Sequence, residues 1–214
     1  MPAVAGSRAD LKRRLILDAA TALFLAYGYD GTSMDDIATR AGVSKPTVYK
    51  HFADKERLFA EIVLTTTERM HQMSLLRTEA MRGRGQIERS LRDFARVFLS
   101  ELMQPDLLRL RRLVIANADR FPEVGRAWYA NGFERVLATL AAELQRLQDR
   151  GLLEIESAGV AADHFVGLLL WIPINKAMFT GDVQSTTPKE LHEYADLAVR
   201  TFLRAYAKRE PRLE

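Results

Sequence analysis

The chain has 214 residues, 48% of them hydrophobic and 28% charged, with a net charge of only +3. That composition suits one or two globular domains with a real core and excludes a disordered chain. There is no cysteine, which excludes disulfides, thiol redox sensing and cysteine-ligated metal sites. The first residues, MPAVAGSRAD, lack the apolar stretch of a signal peptide. The longest apolar run, Val166 to Ile174, is shorter than the ~20 residues of a membrane span. A cytoplasmic protein without membrane contact is the expectation.

Residues 1–7 read as a loose tail. Leu11, Leu15, Ile16, Ala19, Leu23, Phe24 and Tyr27 then repeat at helical spacing, so a first helix is expected from Ser7 or Arg8 to Tyr27, ended by Gly28. Arg8, Lys12, Arg13 and Arg14 cluster at its start. They suit a polyanion backbone as well as a solvated helix end.

Residues 33–52, SMDDIATRAGVSKPTVYKHF, form the most informative stretch. Ser33 and Asp36 fit a capping box. Ile37, Ala38 and Ala41 give a short helix an apolar face, and Gly42 stops it by taking a left-handed conformation. Val43 plugs the turn, Ser44 caps a second helix, and Pro46 sits in its first turn. Helix, glycine turn and helix at this spacing make a helix-turn-helix, whose second helix can enter a major groove. From Lys45 to His51 only Val48 is plainly aliphatic. Lys45 and Lys50 can neutralise phosphates or donate to guanine, and Thr47 and Pro46 can meet a thymine methyl. Tyr49 and His51 can donate to phosphate oxygens. An exposed helix in an ordinary bundle would look similar, so the residues alone leave both readings open.

Asp54 caps a fourth helix with Leu58, Phe59, Ile62, Val63, Met70 and Met73 on its apolar line, running to about Met81. Arg82-Gly83-Arg84-Gly85 reads as a loop. Five more helices follow: Ile87 to Leu102; Leu107 to Phe121-Pro122; a long one from Val124 to Leu147 capped by Gly151; Ser157 to Gly181; and one opened by the Thr187-Pro188-Lys189-Glu190 capping box. Pro173 should kink the fourth of these or leave the Leu169 carbonyl unpaired. No strand alternation and no internal repeat appears. The chain is therefore expected to be all-α, with about nine helices.

Residues 11–59 resemble the DNA-binding domain of the TetR family of transcriptional regulators. The string ILDAATALFLAYGYDGTSMDDIATRAGVSKPTVYKHFADKERLF carries the likeness. An aromatic-glycine pair, a threonine-serine cap, the Gly-Val-Ser turn, the Tyr-x-His-Phe segment and a lysine opening the fourth helix follow in register. The resemblance implies a three-helix DNA-binding domain at 1–55 and a ligand-binding and dimerisation bundle at 56–214. It implies DNA contacts from Thr32, Ser33, Ser44, Lys45, Pro46, Thr47, Tyr49, Lys50 and His51, with Lys55 on a phosphate.

The resemblance also implies a repressor that binds a palindromic operator as a homodimer and is released by a small, mostly apolar ligand. A same-fold activator, or a regulator controlled by a protein partner, is the alternative. The last two helices are the expected dimer interface, through Phe165, Leu169, Ile172, Leu191, Tyr194, Ala198 and Phe202. Phe98, Asn117, Trp128, Phe133, Trp171 and Asn175 are candidate pocket residues. No cofactor is expected. The four histidines are scattered, and no phosphate-binding glycine loop or nucleophile elbow is present, so nothing points to catalysis.

Overall fold

The computed structural model describes residues 7–80, 87–181 and 186–208. Among these residues the fold is all-α, with one isolated antiparallel bridge between Leu153 and Ala207. The helices are α1 (Arg8–Tyr27), α2 (Met34–Ala41), α3 (Lys45–His51), α4 (Lys55–Ala80), α5 (Ile87–Leu102), α6 (Pro105–Ala116), α7 (Pro122–Ala127), α8 (Arg135–Asp149), α9 (Ala158–Thr180) and α10 (Pro188–Tyr206). A π-helical stretch, Trp128–Glu134, joins α7 to α8. Taken as one helix, these segments bring the described residues to nine. The Arg-Gly loop at 82–85 and the end of α4 at Met81 lie outside the described residues.

Local chemistry sets most boundaries. Ser7 and Asp10 form a capping box on α1, Ser33 and Asp36 on α2, and Thr187 and Glu190 on α10. The Asp54 Oδ1 accepts the Arg57 N–H at 2.7 Å and opens α4. Ser157 caps α9, which runs through Pro173 to Thr180 and ends at Gly181. Gly151, at φ +71°, closes α8: the Leu152 N–H reaches back to the Leu147 carbonyl at 3.0 Å.

Two boundaries differ from expectation. The sixth helix stops at Ala116 instead of Phe121, because a turn intervenes in which the Arg120 and Phe121 N–H groups donate to the Asn117 carbonyl. The next helix is interrupted by the π stretch, where the wider turns bury Gly132.

The chain divides into two compact units. One takes the residues up to Thr67 together with Arg109–Trp128, and the other takes Glu68–Leu108 and Tyr129 onward. The expected division after residue 55 placed the second half of α6 and α7 with the body. By packing they belong to the head, because Leu110, Val114, Phe121 and Val124 are buried with Ile16, Phe24, Ile37, Val48, Leu58 and Phe59.

The first unit packs α1 on the helix-turn-helix through Ile16, Leu17, Ala20, Leu23 and Phe24. Leu11 and Leu15, expected on that face, are exposed by 53% and 43%, since the first turns of α1 reach beyond the core, and Tyr27, the last residue of α1, is exposed by 67%. In the second unit α5, α8, α9 and α10 enclose a core that includes Phe94, Phe98, Leu140, Leu144, Phe165 and Phe202.

By length and composition α9 could cross a membrane, its richest window having a mean hydropathy of 1.3. The uninterrupted apolar run understated this, because the caps and not the run fix the helix length. Phe165, Val166, Leu169, Leu170 and Ile174 of α9 nonetheless belong to the core of the second unit.

An Arg96–Asp196 pair staples α5 to α10, with bonds of 2.7 and 2.6 Å. Hydrogen bonding from Arg96 holds the Asp196 carboxyl below its ordinary value of 3.8. A depressed carboxyl stabilises the fold above its unfolded value and loses that contribution as pH falls through the folded one. The Arg96 side chain is 37% exposed, so solvent screens the pair. Asp196→Asn should lower the unfolding free energy by about 1 kcal/mol at neutral pH. Chemical denaturation should show that difference closing as the pH falls below the ordinary carboxyl value of 3.8 and through the lowered one.

Candidate nucleic-acid interface

The reading head is built on Val48. This side chain is fully buried under α1 and α2, and as the middle of a seven-residue helix it fixes which face of α3 looks out. Gly42 sets the angle between α2 and α3: it sits at φ +65° and ψ +32°. A Cβ there would meet nothing within 4 Å, so the requirement is conformational and not one of space. The Asp36 carboxylate, lowered in pKa by its bonds to the Ser33 hydroxyl and backbone, closes the α2 cap.

With Val48 inward, Ser44, Lys45, Pro46, Tyr49 and Lys50 are exposed, and Thr47 and His51 are half-buried. Tyr49 is 44% exposed. Lys50 has no partner among the described residues. Lys45 pairs with Asp35 of α2 at 2.7 Å, and that bond raises its pKa. The Ser44 hydroxyl bonds the Thr47 hydroxyl at 2.8 Å and caps no α3 backbone N–H, unlike the expected cap. The outward face of α3 is thus a compact set of donors and methyl groups around one exposed phenol, with Ser33 at the start of α2 also exposed.

Two expected DNA contacts turn inward. Thr32 is 2% exposed and its hydroxyl donates to the Gly28 carbonyl at 3.0 Å. The Lys55 ammonium donates to the carbonyls of Tyr29 and Thr32 at 2.8 and 2.9 Å and lies 4.3 Å from the Tyr29 ring centroid. Burial pushes its pKa down, with Asp30 opposing. Two of its three N–H donors are therefore spent on fixing the loop between α1 and α2. Arg13 is also engaged, paired with Glu61 and lying over the Phe52 ring, whereas Arg8, Lys12 and Arg14 are exposed.

The residues that hold this loop from the far side were not legible. Phe121 lies 4.8 Å from the Tyr29 ring, and Arg120 bonds Asp30 at 2.7 Å and faces both rings. They lie about ninety positions along the chain from Tyr29. The only local signal was the Phe121-Pro122 boundary.

The expected pocket residues do not converge. Phe98 is stacked on Phe94 in the core of the second unit, and Phe133 is stacked on Tyr129. Asn117 and Trp128 belong to the first unit, where Asn117 donates to the Leu113 carbonyl and Arg111 faces the Trp128 ring. Trp171 is 69% exposed, and Asn175 donates to its carbonyl.

Most of the expected interface residues are likewise spent within the chain. Phe165, Leu169, Leu191, Ala198 and Phe202 are buried in its own core and Tyr194 is half-buried, leaving Ile172 exposed. The large apolar side chains left outside on α9 and α10 among the described residues are Val160, Leu168, Trp171, Ile172, Phe179 and Leu197.

An all-helical chain whose head presents such a helix is a helix-turn-helix DNA-binding protein. Residues 16–62 match the bacterial regulatory proteins of the tetR family, and residues 89–208 match the C-terminal domain of AefR-like transcriptional repressors. The chain belongs to the TetR family and is a transcriptional regulator.

The YhgD regulator of Bacillus subtilis is 46% identical over 61 residues, 28% of this chain and 32% of that one, so the chain matches about a third of that relative's length. A structure from Mesorhizobium loti, described as a TetR-family transcriptional regulator, is similar over 95% of this chain and all of that one, at 48% identity and a TM-score of 0.90. The flavonoid-responsive regulator FrrA is similar over 93% of this chain and 98% of that one, at 29% identity and a TM-score of 0.71.

If the Lys55 ammonium serves the loop and not a phosphate, Lys55→Met should cost about 1–2 kcal/mol of stability by leaving two carbonyls unpaired. Urea titration of the purified protein measures this. Unchanged stability, with a salt dependence of DNA binding weaker by one unit, would return Lys55 to a phosphate.

Proposed function

We propose that the chain is a repressor which binds a palindromic operator as a homodimer in the cytoplasm and is released by a small molecule. The observation that carries the reading is the outward face of α3: Lys45, Thr47, Tyr49, Lys50 and His51, clamped by buried Val48 at a fixed angle. Ser33, Ser44 and Pro46 flank that face and complete the proposed DNA surface.

One such helix reads only a few base pairs, so specificity favours two copies on half-sites one helical turn or more apart. The exposed apolar side chains of α9 and α10 suit the second copy. Leu168, Trp171, Ile172 and Phe179 recur at three- and four-residue spacing along one side of α9, and Leu197 is exposed on α10. Release by a small molecule is supported by the likeness to a flavonoid-responsive regulator.

Selection of the purified protein against a random DNA pool at near-physiological salt should enrich an inverted repeat. Binding that merely tracks charge would overturn the operator reading. Tyr49→Ala should then weaken binding to that repeat by about 1–3 kcal/mol and leave the oligomeric state unchanged. Trp171→Asp should give folded monomers in sedimentation, with weakened operator binding. A dimer that survives both this change and Leu197→Asp would place the interface elsewhere. Phe202 is unsuitable for such a test, because its full burial in the chain's own core makes a charge there a folding defect.

A further inference from the structure

The first turn of α2 carries two acids, and only one of them serves its own helix. Asp36 closes the cap with Ser33, whereas the Asp35 carboxylate reaches across to the first residue of α3. Its two oxygens hold the Lys45 ammonium at 2.7 and 3.0 Å. The Asp35 and Lys45 side chains are 63% and 55% exposed, so water screens the pair and it adds little to the fold. Its place on the surface matters more. Tyr49 lies one turn beyond Lys45 and is also exposed, so the pair stands at the edge of the outward face of α3. Bonding to Asp35 raises the Lys45 pKa, and the Tyr49 phenol adds to that. Lys50, by contrast, is exposed and pairs with no described residue.

The two lysines therefore meet a polyanion differently. Lys50 can neutralise a phosphate directly and release a counterion. Lys45 can do so only by leaving Asp35, and a bare carboxylate then faces the phosphates. A base edge is a different case. An ammonium has three N–H donors, and Asp35 occupies no more than two of them. The third can donate to a single acceptor, such as guanine O6 or N7, with the carboxylate still in place. Asp35 also sits at the positive end of the α2 dipole, which favours a negative charge there.

We propose that Asp35 is a positioning residue for DNA reading, one that withholds Lys45 from phosphates and leaves it to a base-edge acceptor. It thereby lowers affinity for non-specific DNA and sharpens base preference at one position of each half-site. This rests on α3 being the reading helix.

The test uses the full chain and a short duplex of arbitrary sequence. Asp35→Asn should bind that duplex about fivefold to tenfold tighter at low salt and steepen the salt dependence by about one unit per reading head. Glu154→Gln, an equal loss of charge at an exposed loop position of the second unit, should do neither. In a Lys45→Met background, Asp35→Asn should no longer steepen the salt dependence. In selection from a random pool, Asp35→Asn should enrich the same repeat as the wild type, with one position of each half-site relaxed. Urea titration should find every variant as stable as the wild type to within the small contribution of a solvated ion pair.

Lys50→Met is measured beside them and should flatten the salt dependence. If it does so while Asp35→Asn leaves the slope unchanged, the proposal is overturned and α3 remains the reading helix. A slope that neither change moves overturns both. A steepening that survives in the Lys45→Met background overturns the proposal as well, because Asp35 would then repel phosphates by itself.

Discussion

The reading head depends on one aromatic cluster and the cation beside it. Tyr29 packs on Phe24, Phe59 and Phe121 with ring centroids 5.6, 5.5 and 4.8 Å away. These four rings come from α1, the loop after it, α4 and the start of α7. Such contacts add ~0.5–1.5 kcal/mol each beyond the area they bury. Lys55 then ties the carbonyls of Tyr29 and Thr32 to the opening turn of α4. The loop so fixed leads directly into the Ser33 cap, and hence into α2, Gly42 and α3. The angle at which the α3 donors leave the surface is thus set by groups that never face outward.

This explains which parts of the molecule the sequence disclosed. Helix ends are local matters: a hydroxyl bonds an N–H three residues on, or a glycine takes positive φ. Ser33, Asp54, Gly151, Ser157 and Thr187 were accordingly legible as boundaries. The outward face of α3 was legible for a related reason. With Val48 as its one buried side chain, the composition of seven consecutive residues states which face is free. Thr32 was misjudged because a threonine beside a cap looks the same whether its hydroxyl faces solvent or the Gly28 carbonyl.

The failures are all matters of long-range partnership. Apolar periodicity names the side chains that must leave water, but not whether the same chain or another copy covers them. Phe165, Leu169 and Phe202 satisfied the pattern and were spent on the internal core, while Trp171 and Phe179 stayed outside. Aromatic residues also made a poor guide to a cavity, because large rings such as Phe98 and Phe94 fill space. An open cleft of about 370 Å³ lies instead where the side chains of α8 are small, along Ala138, Thr139 and Ala142 and opposite Leu75 of α4.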